Sequence, residues 1–143
     1  AVLACADSRV PVELVFDQTI GRIFVTRVAG NVVTPEIIAS LEYGVAVLEI
    51  NVLLVVGHSG CGAVKAAMKP DMVPGQISVL YQHLLPAMKQ SGDNLDKAIE
   101  ANAKFQADLL RTSSTVIRDA VKAGKLKVEA GVYDLATGKV SLN

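Results

Sequence analysis

Two short segments of this 143-residue chain concentrate side chains that can bind a metal ion. Residues 5–9 (Cys-Ala-Asp-Ser-Arg) supply one thiol, and residues 58–62 (His-Ser-Gly-Cys-Gly) supply an imidazole and a second thiol. The chain has two Cys and two His, so three of these four side chains fall in the two segments. Two thiolates and one imidazole match the three-ligand pattern of a catalytic zinc site, in which water takes the fourth position. We therefore expect Cys5, His58 and Cys61 to bind one Zn²⁺ ion per chain.

Asp7 and Arg9 add a charged pair to the first segment. In an extended segment, residues 5, 7 and 9 point to the same side, which would place both charges beside Cys5. The carboxylate of Asp7 could then bind the metal itself. Alternatively, Arg9 could hold Asp7 in a bidentate pair and leave it to accept a hydrogen bond from the bound water. An ordinary loop salt bridge is the third interpretation, and the neighbouring Cys and His side chains favour a role at the metal.

Other interpretations of the same residues stay open. The two thiols could be buried and inert, or Cys5 and Cys61 could form a disulfide. The glycines of residues 57–62 lie between a strand pattern and a helix pattern, as in a phosphate-binding loop. Their order is G-x-x-G-x-G, however, and no G-K-S/T element accompanies them, so nucleotide binding is disfavoured. His83 lies among leucines and is predicted to be a packed or surface side chain.

The composition argues against several function classes. Lys+Arg and Asp+Glu number 14 each, so the formal net charge is zero, and we expect no nucleic-acid partner. Aromatic residues make up 4% of the chain, which also disfavours a base-stacking surface. No apolar run reaches the roughly 18 residues of a membrane span, and we expect no membrane partner. The composition and the two metal-binding Cys favour a cytoplasmic location.

Apolar strand patterns alternate with helical patterns along the chain. The predicted strands are residues 2–5, 22–28, 52–56 and 126–133, and residues 139–142 can return as an antiparallel edge strand. The predicted helices are residues 35–48 with Thr34 as N-cap, 63–69, 74 to about 90, 95–111, and a last one from Ser113 or Ser114 to Gly124. This alternation predicts an α/β fold with a mainly parallel sheet. Ligands gather outside the carboxyl ends of such strands, where Cys5 and His58 both fall.

The two segments together resemble the paired signature segments of the β-class carbonic anhydrases. The agreement extends over most of the chain and includes residues 11–18 (PVELVFDQ), 27–31 (RVAGN), 40–43 (SLEY), 57–62 (GHSGCG), 131–134 (GVYD) and 137–138 (TG). The resemblance implies an α/β fold with a mainly parallel four-stranded sheet, flanked by helices, and an added antiparallel C-terminal strand. It also implies a homodimer or a multiple of dimers.

For function, the resemblance implies a zinc lyase that reversibly hydrates CO₂ to bicarbonate and a proton via zinc-bound hydroxide. Carried over position by position, Cys5, His58 and Cys61 are the metal ligands, and Asp7 and Arg9 are the catalytic charged pair beside them. Two alternatives stay open within this resemblance. One is a carbonyl sulfide or carbon disulfide hydrolase on the same zinc site, and the other is a zinc-bound but inactive truncated structural homologue.

The chain begins with Ala1 and continues directly into a strand pattern. We therefore expect residues 1–143 to form a single catalytic domain of a fragment or processed product. Family members usually have an N-terminal helical arm that wraps the partner subunit, and a Gln before the first strand, and we expect this chain to lack both. Members regulated by bicarbonate often carry Trp where this chain has Val2. Although Arg27 matches an Arg of that regulatory site, we expect no bicarbonate switch.

Overall fold

A mainly parallel sheet forms the centre of the computed structural model, which describes residues 1–69, 71–89 and 91–143. Its strands are β1 (Val2–Ala4), β2 (Val25–Arg27), β3 (Val52–His58), β4 (Lys127–Asp134) and β5 (Lys139–Leu142), in the spatial order β2-β1-β3-β4-β5. The first four strands run parallel, and β5 pairs with β4 in the antiparallel direction. The α/β fold expected from the sequence is therefore confirmed.

Helices flank this sheet and connect its parallel strands. They are α1 (Val12–Val15), α2 (Pro35–Ala46), α3 (Gly62–Met68), α4 (Ile77–Met88), α5 (Leu95–Ser113) and α6 (Thr115–Lys122). Thr34 and Ser114 are N-caps, because their hydroxyls accept hydrogen bonds from the third N–H group of α2 and α6. Of the two serines considered before α6, Ser114 is thus the cap. In the described part of the chain, no helix combines the length and the apolar character that a membrane span needs.

Several element ends differ from the sequence prediction. β3 continues through His58, because residues 57–58 still pair with Val132 and Tyr133 of β4. β2 is shorter than predicted, since β1 offers it three partner residues. α1 was not predicted, because a helix of four residues is too short to show a helical period. The predicted end of α4 at Gln90 lies outside the described residues.

The central strands are buried on both faces. Leu3 of β1 joins a core cluster with Leu53 and Val55 of β3 and with Leu110 of α5. Its neighbours Val2 and Ala4 face the opposite side of the sheet and pack in a second cluster that includes Val56 and residues around α1. Alternation of side chains along a strand produces this two-sided burial. It explains why β1 and β3 are continuous apolar runs in the sequence.

Gly57 allows α5 to lie close to the end of β3, next to His58. A Cβ atom on Gly57 would lie 3.0 Å from Cγ2 of Ile99, a buried residue of α5. We expect Gly57→Ala to lower the free energy of unfolding by about 1–3 kcal/mol, the usual cost of overpacking a core, in urea denaturation of the metal-free protein. Gly62→Ala is the matched control, because a Cβ atom there meets nothing within 4 Å. An equal loss of stability in both variants would contradict this close approach.

Candidate metal centre

Cys5, His58 and Cys61 meet at the carboxyl edge of the parallel sheet. Cys5 follows the last residue of β1, His58 is the last residue of β3, and Cys61 directly precedes α3. β1 and β3 are neighbours, so the ends that carry Cys5 and His58 are adjacent. The ligand atoms of the three side chains lie within 4.8 Å of one another, and all three residues are buried. The structure thus brings together the three residues predicted to bind the metal.

The imidazole of His58 is arranged to bind a metal through Nε2. Its Nδ1 lies 3.1 Å from the carbonyl oxygen of Ser59. Because a carbonyl oxygen only accepts hydrogen bonds, this contact places a proton on Nδ1, so that in the neutral imidazole the lone pair is on Nε2. Within the described residues, the buried Nε2 has no hydrogen-bond partner. Burying a polar nitrogen costs free energy unless it has a hydrogen-bond partner or a metal ion to bind. The nitrogen and the two sulfurs beside it are the donor types that zinc prefers.

Both sulfurs of the group are free thiols, which rules out the alternative of a disulfide in this structure. The side chain of Cys61 is the main cause that lowers the pKa of Cys5 to about 4, and it outweighs the opposite effect of burial. The same interaction, together with burial, raises the pKa of Cys61. The two sulfurs therefore titrate as a pair that loses its first proton readily, and the thiolate is the form that binds metal ions.

Asp7 and Arg9 form a bidentate ion pair beside the three ligands. Nε of Arg9 donates to Oδ1 of Asp7 at 2.9 Å, and Nη2 donates to Oδ2 at 2.7 Å. These hydrogen bonds from Arg9 hold the pKa of Asp7 well below its usual range. Oδ2 of Asp7 also lies 3.9 Å from Nε2 of His58, so the carboxylate borders the ligand group. The structure therefore contains the bidentate pair of Arg9 and Asp7, one of the interpretations that the sequence left open.

The backbone brings this pair together by a turn, and the expectation of an extended segment was wrong. The N–H of Val10 donates to the carbonyl oxygen of Asp7 at 3.0 Å, which closes a turn through Ser8 and Arg9. The N–H of Arg9 also donates to Oδ1 of Asp7 at 2.9 Å. An Asp side chain readily accepts a hydrogen bond from the backbone two residues later, and this favours a turn over continued strand.

Arg27 supports the site in a way that sequence reasoning missed. It ends β2, where it is the register partner of Ala4 in β1. Its Nε donates to the carbonyl oxygen of Cys5 at 3.0 Å, and its Nη2 donates to that of Asp7 at 2.6 Å. The side chain thereby holds the backbone that carries both functional residues. Only the pairing of β1 with β2 reveals this role, and no local sequence pattern signals it.

The fold and the site together define a class: an α/β protein with a Cys-His-Cys group and a carboxylate at the ends of parallel strands. The family model described as carbonic anhydrase matches residues 1–140. A carbonic anhydrase of Mycolicibacterium smegmatis is 34% identical over 149 residues, which cover 99% of this chain and 72% of the relative. The chain therefore belongs to the carbonic anhydrase family, whose general reaction is the reversible hydration of CO₂.

Solved structures support the β class within this family. A Coccomyxa β-carbonic anhydrase, solved in complex with acetazolamide, has a TM-score of 0.88 and 30% identity, covering 99% of this chain and 69% of that one. One chain from the crystal structures of two tetrameric β-carbonic anhydrases of Sordaria macrospora shares the fold, with a TM-score of 0.88 at 23% identity and coverage of 99% of this chain and 78% of that one. The resemblance drawn from the sequence is confirmed.

Proposed function

We propose that this chain hydrates CO₂ reversibly to bicarbonate and a proton, with one Zn²⁺ ion held by Cys5, His58 and Cys61. The observation that carries this proposal is the convergence of three buried ligand residues whose ligand atoms lie within 4.8 Å of one another, one of these atoms being a nitrogen without a hydrogen-bond partner among the described residues. When bound, zinc lowers the pKa of water to about 7 and so supplies hydroxide as a nucleophile at neutral pH. Binding of the ion would displace the remaining thiol proton, so that Cys5 and Cys61 as thiolates and His58 as a neutral imidazole would supply three ligands, the number found in catalytic zinc sites.

Asp7 has the role of orienting the nucleophile. Because Arg9 keeps its pKa low, the carboxylate is ionised at neutral pH and can only accept hydrogen bonds. Oδ2, the oxygen nearer to His58, is placed to accept the O–H of the attacking oxygen. This hydrogen bond would fix the direction of the remaining lone pairs toward CO₂, which lowers the entropic part of the barrier.

Arg9 has the role of keeping Asp7 in that position. Its guanidinium engages both carboxylate oxygens, and its backbone N–H adds a third bond to Oδ1. A carboxylate held this way is less able to swing onto the metal and block the fourth position. Arg9 is therefore a positioning residue, and Asp7 is the group that contacts the reacting atoms.

An assembly of dimers is the quaternary structure that we propose for the chain. The relatives from Sordaria macrospora are tetrameric. In this chain, Leu14 of α1 and Ile20 after it are 78% and 100% exposed. Large exposed apolar side chains are typical of surfaces that pair with another protein. The cytoplasmic location stays a prediction from the sequence.

Stopped-flow CO₂ hydration by reduced protein tests the proposed reaction. The protein is measured after removal of metal by a chelator, and again after addition of Zn²⁺. We expect turnover to disappear on chelation and to return as one Zn²⁺ per chain is added. Full zinc binding without hydration above background would contradict the proposal and favour an inactive homologue. Hydrolysis of carbonyl sulfide without CO₂ hydration in the same samples would assign the site to that substrate.

A further inference from the structure

A series of buried hydrogen bonds leads from α5 to the sulfur of Cys5. The N–H of Gly30 lies 3.4 Å from Sγ of Cys5. Nδ2 of Asn102, in α5, donates to the carbonyl oxygen of the same Gly30 at 2.9 Å. One helical turn later, Nε2 of Gln106 donates to Oδ1 of Asn102 at 3.0 Å. Asn102 and Gln106 are completely buried, so both amides act away from solvent.

The turn that presents the Gly30 N–H depends on support from its surroundings. Gly30 has a φ of 75°, and the following Asn31 has a φ of 45°, so two consecutive residues lie in the left-handed region. A Cβ atom on Gly30 would lie 3.2 Å from Cδ2 of Leu84 and 3.3 Å from Cβ of Ala63, so only glycine fits without displacement. Left-handed residues persist where neighbouring groups over-determine the backbone, and Asn102 supplies one such constraint.

Gln106 determines which end of the Asn102 amide faces Gly30. Its Oε1 accepts from the N–H of Val33 at 2.8 Å, and its Nε2 also donates to the carbonyl oxygen of His83 at 3.0 Å. These contacts fix the donor end of Gln106 toward Asn102. A donor can face only the oxygen of the Asn102 amide, so Nδ2 of Asn102 must point to the Gly30 carbonyl. The pair therefore sets the orientation of the turn from α5, and neither residue touches the metal-ligand atoms.

We propose that Asn102 and Gln106 are positioning residues for the metal ligand Cys5, acting through the Gly30 turn. The hydrogen bond from Gly30 orients the sulfur and spreads its negative charge. Such bonds to ligand atoms adjust both the geometry and the affinity of a metal site. The inference rests on the proposed metal site, and it extends the functional residues to a helix that contributes no ligand.

The test compares two variants of the pair with a control on the same helix. Asn102→Ala removes the donor to Gly30, and Gln106→Glu keeps the side-chain volume. Glu has at most one donor proton, whereas Gln106 donates two hydrogen bonds, so the pair is disrupted in either protonation state. Leu110→Ala is the control, because Leu110 is a fully buried residue of α5 in the core cluster around β1 and β3. Each protein is titrated with Zn²⁺ against a chromophoric chelator, and its Co²⁺ form is examined for the sulfur-to-cobalt charge-transfer band.

We expect Asn102→Ala to bind Zn²⁺ about 10-fold more weakly and to shift the cobalt charge-transfer band. A 10-fold loss is the low end of the range seen when groups that hydrogen-bond to metal ligands are removed. Gln106→Glu should change both readouts in the same direction, and it remains the decisive variant if Asn102→Ala does not fold. Leu110→Ala should lower the melting temperature and leave affinity and band unchanged. An equal loss of affinity in Leu110→Ala, or no change in the folded variants of the pair, would overturn the inference. If the unmodified protein binds neither Zn²⁺ nor Co²⁺, the proposed metal site is wrong. If the unmodified protein binds both ions and the two variants bind them equally well, the metal site stands and only the role of Asn102 and Gln106 is excluded.

Discussion

Replacing His58 with Ala should abolish zinc retention by this protein. The substitution removes Nε2 and leaves two sulfur ligands at the site. The free energy of Zn²⁺ binding to sites with a full ligand set is about 10–16 kcal/mol at pH 7. Losing one of three protein ligands should therefore weaken the affinity by roughly 100-fold or more. Elemental analysis after gel filtration should find zinc in the unmodified protein and almost none in His58→Ala.

His83→Ala is the matched control for this experiment, because His83 is the second of the two His residues and lies on α4, outside the ligand group. The contact that Gln106 makes with residue 83 is to the backbone carbonyl, which the substitution keeps. Zinc content should therefore stay normal in His83→Ala. Stoichiometric zinc in His58→Ala would remove His58 from the proposed ligand set.

Asp7→Asn should lower kcat for CO₂ hydration by about 100-fold while zinc stays bound, because losing the orientation of a reacting group can cost this much in rate. Asn has nearly the same shape as Asp, but it lacks the negative charge that pairs with Arg9. The amide of Asn has one oxygen and one NH₂ donor, so it cannot accept hydrogen bonds at both terminal atoms as the carboxylate of Asp7 does. Stopped-flow kinetics and zinc analysis on the same preparation separate catalysis from metal binding.

Asp119→Asn serves as the control for this second prediction. Asp119 also pairs with an arginine, Arg118, at 3.1 Å, but this pair is exposed on α6. Exposed ion pairs contribute little, so its loss should leave kcat unchanged. Unchanged turnover in Asp7→Asn would exclude the orienting role of Asp7. Loss of zinc in that variant would instead indicate that Asp7 is a metal ligand.

The candidate donor residues and the fold class could be predicted from sequence, because both leave local signals in it. The His58 and Cys61 side chains lie three positions apart at a glycine-rich turn before a helix, so short-range geometry lets them converge. Continuous apolar runs and helical periods alternate along the chain, and this alternation is typical of a parallel sheet flanked by helices. The position of Cys5 and His58 at strand ends follows from the same patterns.

The tertiary structure alone decided how the candidate site is assembled around those residues. Cys5 reaches His58 because β1 lies beside β3 in a register that pairs Ala4 with Val56, and no local pattern specifies that register. The turn that aims Asp7 depends on backbone hydrogen bonds that compete closely with an extended strand. Arg27 and Asn102 reach the site from elements distant in sequence. A hydrogen bond between such elements is directional and depends on their packing, so periodicity and composition carry no trace of it.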